Sequence, residues 1–218
     1  MRFIFPPRPK GKMLPNDLDY YEKTGKWLAQ RKFRGSRAVI NISSNREIFL
    51  GNRHGSSFVN FSLNKDYKDE IISALNLKKG VDYWLDGELM NKDKNATNEI
   101  ILFDVLQEGR YFFGSPNQTE RLNILREICG DPKSYCQIGI AMKVTSRIWM
   151  AETFFSNFQE KFKESISVAQ LEGLVLRKKN SSLDNFGNSE YETTNIIRCR
   201  KPFAVDNPKL GRSGGYEF

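Results

Sequence analysis

Histidine is nearly missing from this chain: among 218 residues His54 stands alone. A multi-histidine metal centre is therefore excluded, as is a Ser-His-Asp triad built on any other histidine. In its own setting, Gly51-Asn52-Arg53-His54-Gly55, the residue reads as a polar turn position. Cysteine is scarce as well. Cys129, Cys136 and Cys199 are odd in number, and their spacing suits neither a disulfide framework nor a paired zinc site; they read as buried or half-buried thiols in a reducing compartment. No apolar run approaches the roughly 20 residues that a membrane-spanning helix needs, and the opening Met1-Arg2-Phe3-Ile4-Phe5-Pro6-Pro7 is too short an apolar stretch for a secretory signal. These absences lead us to expect a soluble, cytoplasmic protein with no membrane partner. No internal repeat is found.

What the chain does have is positive charge. Lys and Arg outnumber Asp and Glu by 34 to 26, a formal net charge of +8, which favours a polyanionic partner such as a nucleic acid or nucleotide. The length suits one sizeable domain. The Pro- and Lys-rich opening through Pro15 reads as a surface arm, because proline denies a sheet interior its donors. A short helix is expected from Asn16 to Lys23, ended by Gly25. Strands follow at Trp27 to Phe33, Arg37 to Ser43, Glu47 to Leu50 and Ser57 to Phe61, by pattern an antiparallel meander. A helix at Lys68 to Leu75 precedes strands at Tyr83 to Leu89 and Glu99 to Leu106, parted by the polar turn 91–95. Thr119 could cap a helix that turns Leu122, Leu125 and Ile128 inward, and Phe154, Phe155, Phe158 and Phe162 mark a second amphipathic helix. The last strands are Gly173 to Lys178 and Asn195 to Arg200, and 207–218 reads as a flexible tail.

Five segments carry residues suited to chemistry. In Lys32-Phe33-Arg34-Gly35-Ser36-Arg37 a lysine ends an apolar strand, and the glycine lets the chain turn so that the amine can enter a pocket; alone, the same pattern marks a turn with a solvated lysine. Leu85-Asp86-Gly87-Glu88-Leu89 sets acids in an apolar strand, where burial costs several kcal/mol without a partner; a solvated Asp-Gly turn is the other reading. Phe103, in Leu102-Phe103-Asp104-Val105-Leu106, could stack on a purine or simply fill a core. Leu171-Glu172-Gly173-Leu174-Val175-Leu176-Arg177 places a carboxylate where it could hold a divalent cation. Ile196-Ile197-Arg198-Cys199-Arg200-Lys201-Pro202 alternates so that Arg198 and Arg200 share a strand face, and two forked cations suit a phosphate chain.

In this order, from about Trp27 to Pro202, the segments resemble the covalent nucleotidyltransferase superfamily of ATP-dependent DNA ligases, RNA ligases and mRNA capping enzymes. Phe103-Asp104-Val105-Leu106 followed by Glu120-Arg121-Leu122 also resembles the sequel to that motif in DNA ligases. The resemblance implies an α+β nucleotidyltransferase domain of twisted antiparallel sheets flanked by helices, a nucleotide pocket between them, spanning 1–206 with 1–15 as its arm. It implies ATP as substrate, Mg²⁺ or Mn²⁺ as metal, and nicked or end-bearing DNA or RNA as partner. Lys32 would attack the α-phosphate and become lysyl-AMP. Arg37 and Glu88 would contact the sugar, Phe103 would pack on adenine, Gln30 would read the adenine edge, and Arg53 would sit near the sugar or a 5′-phosphate. Glu172 would bind the metal, and Arg198 and Arg200 would hold the α-phosphate.

Three departures accompany the resemblance. Arg34 stands where relatives often carry an acid; if 32–34 stays extended, it would share a face with Lys32 and lower its pKa or meet a phosphate. Arginines replace the two lysines usual in the last motif, and Lys201 could take over a lysine role only from the other face. The OB domain usual in DNA ligases and capping enzymes is not recognised in this chain, so either that domain is absent or a separate OB-type module or partner protein supplies it. An RNA ligase, a capping-type guanylyltransferase and a non-catalytic nucleic-acid-binding module with the same fold are the alternatives.

Overall fold

A computed structural model describes residues 2–92, 97–135 and 139–201; the expected tail 207–218, Cys136 and most of the polar turn 91–95 lie outside the described residues. The elements run β1 (Arg8–Met13), α1 (Leu18–Lys23), β2 (Trp27–Phe33), β3 (Ser36–Ile42), β4 (Ile48–Asn52), α2 (Lys65–Ala74), β5 (Tyr83–Leu89), β6 (Ile100–Glu108) and β7 (Arg110–Tyr111). They continue with α3 (Gln118–Ile128), β8 (Met142–Lys143), β9 (Ile148–Met150), β10 (Thr153–Phe154), α4 (Phe158–Ser167), β11 (Leu171–Lys178) and β12 (Glu192–Arg200). Two sheets result. One is ordered β1-β12-β11-β2-β10, the other β4-β3-β5-β6-β9-β8 with β7 paired to β6.

Alternation along each strand decides which face meets a helix. In the five-stranded sheet Ala29, Leu174, Leu176, Ile197 and Cys199 point to one side, where Leu18 of α1 and Phe158 and Phe162 of α4 cover them. In the seven-stranded sheet Leu85, Ile100 and Leu102 share the larger core with Tyr67 and Ile71 of α2 and Leu125 and Ile128 of α3. Phe33 and Leu171 of the first sheet join Ile101 and Phe103 of the second in a third cluster. The architecture is α+β, and a cavity of about 520 Å³ lies between the sheets, lined from both. Among the described residues no helix is long and apolar enough to cross a membrane.

Several expectations change. The meander is split: β2 pairs with β11 and β10, whereas β3 pairs with β4 and β5. The chain crosses between sheets at Arg34-Gly35, and glycine is required there by close approach rather than by a turn, since a Cβ at 35 would lie 2.4 Å from the Leu89 carbonyl oxygen. The sheets are mixed, with β1 parallel to β12 and β6 parallel to β9. The opening is no loose arm: its second half is β1, an edge strand, which is where Pro9 can be tolerated. Ser57 to Phe61 forms no strand, because Phe58 and Phe61 each pack on the core while Val59 between them is 98% exposed. Helix α3 is capped by Asn117, whose Oδ1 accepts the Glu120 N–H (3.1 Å) while Glu120 Oε2 accepts the Asn117 N–H (2.7 Å); the Thr119 hydroxyl donates instead to the Lys179 carbonyl. Leu122 is only half-buried. The last helix begins at Phe158, leaving Phe154 in β10 and Phe155 exposed.

Candidate active site

Trp27 and Ala29 of β2 pack toward the helices, so the alternate residues Gln30 and Lys32 face the cavity. Lys32 Nζ donates to Glu172 Oε2 at 2.5 Å, and Arg200 Nε lies 3.3 Å from the same oxygen. Glu172 reaches this position because β11 and β12 approach very closely beside it. Gly173 has φ +133°, and a Cβ there would stand 2.2 Å from the Cys199 carbonyl oxygen, so no larger residue fits. Burial holds the Lys32 pKa below its ordinary value; Arg200 adds to this, while Glu172 and Glu88 oppose it. Burial resists the Glu172 charge, but the hydrogen bond and charge of Lys32, with Arg200, hold that carboxyl below its usual range.

The opposite wall comes from β3, β5 and β6. Arg37 forks onto the fully buried Asp86 through Nε and Nη2, and Nη2 also donates to the Pro7 carbonyl at 3.3 Å. Burial disfavours the Arg37 charge, but the Asp86 carboxylate outweighs this and raises its pKa. Glu88 Oε1 accepts the Gly35 N–H at 3.0 Å. Burial drives its carboxyl up to about 7 against the charges of Lys32, Arg37 and Lys92. The Phe103 ring has the Arg37 and Arg177 guanidinium carbons 5.0 and 5.1 Å from its centroid. Gln30 Nε2 donates to the Phe103 carbonyl (3.2 Å) and to Thr153 Oγ1 (3.3 Å), which fixes the amide in the floor.

At the rim, Arg53 Nε donates to His54 Nε2 at 2.8 Å, His54 Nδ1 contacts Glu190, and Glu190 also accepts from Arg8 at 2.6 Å. Arg198 is half-buried and Arg200 is exposed on the same side of β12, both lining the cavity, while Cys199 between them is buried under the helices.

The structure thus gathers Gln30, Lys32, Arg37, Arg53, Glu88, Phe103, Glu172, Arg198 and Arg200 around one cavity. Arg34 does not line it: β2 ends at Phe33, so the extended geometry that would align positions 32 and 34 stops short. Burial and Glu172 are the largest influences on the Lys32 amine, followed by Arg200 and Glu88. Among the described residues no three acidic, histidine or cysteine side chains cluster as a metal cage. Glu172 offers one carboxylate, which fits a magnesium that takes its remaining ligands from phosphate and water.

Reading the sequence named Asp104 and Arg121 within the segments that carry the resemblance but gave neither a role in supporting this wall. Asp104, fully buried, accepts from Arg121 Nε (3.0 Å) and Nη2 (3.2 Å), from Arg177 Nη1 (3.1 Å) and from the Val105 N–H (2.9 Å). Its partners come from α3 and β11, too far along the chain for a local pattern to disclose. Arg177 was within reach, since it alternates with Val175 on the cavity side of β11.

Two mixed sheets that enclose a cavity between them are the fold this chain shares with solved structures of ATP-dependent ligases. The ATP-dependent DNA ligase from bacteriophage T7, in complex with ATP, superposes with a TM-score of 0.57 over 90% of this chain and 68% of its own, at 10% identity. A protein described as Pmar-Lig_PreS3 gives a TM-score of 0.57 at 15% identity over 91% of this chain, and the ligase domain of M. tuberculosis LigD gives 0.52 at 16% over 78%. The chain spans about half the length of these last two, 47% and 53%. No protein-family model and no curated protein sequence matches it.

Proposed function

We propose that residues 1–206 form the adenylyltransferase domain of an ATP-dependent polynucleotide ligase, with Lys32 as its nucleophile. The observation that carries this reading is the Lys32 amine, held inside the cavity on Glu172 beside Arg200, with burial lowering its pKa. A lysine attacks only as the free amine, and its ordinary pKa near ~10.4 leaves little of that form at neutral pH. Inside the cavity the amine forms a bond to the α-phosphorus of ATP. The bond from that phosphorus to the bridging oxygen breaks, pyrophosphate departs, and the amine gives up a proton. Arg198 and Arg200 line the same cavity, and there they would meet the non-bridging oxygens as these gain charge, without having to move.

Gln30 and Phe103 take the base, Arg37 and Glu88 the sugar, and Arg53 lies at the sugar or the acceptor 5′-phosphate. Glu172 would hold the Mg²⁺ or Mn²⁺ that accompanies the triphosphate and supplies further positive charge to its oxygens. AMP then passes from Lys32 to a nucleic-acid 5′-phosphate, and a 3′-hydroxyl displaces it to seal a break in DNA or RNA in the cytoplasm. A separate OB-type domain or partner protein would complete the grip on nucleic acid.

Intact-mass measurement after incubation with ATP and a divalent cation tests this. An AMP adduct is expected, removed by pyrophosphate and missing in Lys32→Ala. A GMP adduct from GTP would indicate capping-type chemistry, and no adduct with either nucleotide would leave a non-catalytic nucleic-acid-binding module.

A further inference from the structure

The edge strand β1 has the sequence Arg8-Pro9-Lys10-Gly11-Lys12-Met13, and its register on β12 decides where its three cations point. Registered residues of paired strands place their side chains on the same sheet face. Met13 pairs with Cys199 and Gly11 with Ile197, and Met13 packs in the cluster that Cys199 and Ile197 share with α1 and α4. Lys12 pairs with Arg198, so it lies on the cavity side. The irregularity between Pro9 and Gly11 adds two residues on the β12 side, an even number that keeps the alternation; Arg8, paired with Glu192, therefore shares the face and lines the cavity. Lys10 has the same parity, and Lys10 and Lys12 are exposed.

We propose that β1 is a docking track for the phosphodiester backbone of a nucleic acid, leading across the five-stranded sheet to Lys32. This rests on the ligase reading and names the surface that reading needs. Lys12 and its register partner Arg198, with Arg200 beyond them, form a cationic row that ends at Glu172, the partner of Lys32, and alternation along β1 adds Lys10 at its outer end. Alternate residues of a strand stand about 6.6 Å apart, close to the roughly 6.8 Å axial rise of two phosphates along one DNA strand. The occupant is polyanionic by charge complementarity, and the end of the row at the proposed adenylylated lysine identifies it as the strand to be joined. Lysines on an open edge also serve to block strand addition, so the test must separate that role from docking.

The full chain and Lys10→Gln/Lys12→Gln are titrated, by fluorescence anisotropy over a series of salt concentrations, into a nicked DNA duplex with a 5′-phosphate and into its RNA counterpart. The double variant should bind one or both about tenfold more weakly. The slope of log K against log salt should flatten by roughly 1.8, about 0.9 for each phosphate that the variant no longer neutralises. Lys10→Arg/Lys12→Arg should restore both, and AMP attachment from ATP should be unchanged in either variant. Unaltered affinity and slope on both duplexes would overturn the track, and a change in solubility alone would assign the lysines to edge protection. If the unmodified chain takes no AMP, the ligase reading fails while the binding series still decides whether β1 contacts nucleic acid.

Discussion

Glu88 accepts the Gly35 N–H at the cavity wall, with Lys32, Arg37 and Lys92 close enough to favour its charge, yet burial wins and its pKa is pushed up to about 7. An unfolded chain would return it to the ordinary carboxylate range near ~4.3. Between those values the folded protein binds more protons than the unfolded one, so stability falls as pH rises through this window and levels off above about 7. Glutamine keeps an acceptor for Gly35 and cannot ionise. Glu88→Gln should therefore match the parent in stability near pH 4 and exceed it by roughly 3 kcal/mol at pH 8, read from denaturant melts at each pH. Parallel stability curves for the two proteins would contradict the burial argument. Lys32 and Glu172 carry opposite consequences: their hydrogen bond favours the charge on each in a half-buried place, and in the proposed reaction the amine would become a nucleophile only when that pairing gives way.

At the scale of elements, α3, β6 and β11 meet at a buried group of charges. Arg121 is 2% exposed and forks onto Asp104, which also accepts from Arg177, whose guanidinium lies by the Phe103 ring. Removing one member of a buried pair strands the other's charge, at a cost of about 3 kcal/mol. Arg121→Leu should lower the melting temperature by roughly 6–12 °C for a chain of this size, measured by calorimetry, even though position 121 is outside the cavity lining. A loss below about 1 kcal/mol would mean that Arg177 alone satisfies Asp104. Much at this scale was legible from local pattern: Trp27–Phe33 and Tyr83–Leu89 have the bounds expected of them, and alternation put Arg198 and Arg200 on one face. Pairing was not legible. Nothing near Phe33 announces that the next strand joins a different sheet, because β2 finds its partners more than 100 residues away, as in Val175 opposite Gln30 and Thr153 opposite Gln30. Edge strand β1 was hidden for a related reason: Pro9 argues against a sheet interior but not against an edge.

For the whole molecule, the decisive feature is that one cavity takes its lining from two sheets whose cores are otherwise largely separate. A nucleotide lodged there, as proposed, would touch Lys32, Arg198 and Arg200 of one sheet and Glu88 and Phe103 of the other, and would act as a brace that the unfolded chain cannot bind. Such a ligand stabilises by RT ln(1 + [L]/Kd), about 2.7 kcal/mol at one hundred times Kd. The melting temperature should therefore climb with the logarithm of ATP concentration, and Lys32→Ala should climb too, since the brace needs no covalent bond. After ATP is removed by gel filtration, the two proteins should part. On the proposed chemistry the parent should retain the raised melting temperature, because AMP would stay on Lys32, and pyrophosphate should abolish it by reversing the transfer; the alanine variant should return to its starting value at once. A melting temperature indifferent to ATP in the parent would show that the space between the sheets is not where the nucleotide goes, whatever else the chain binds.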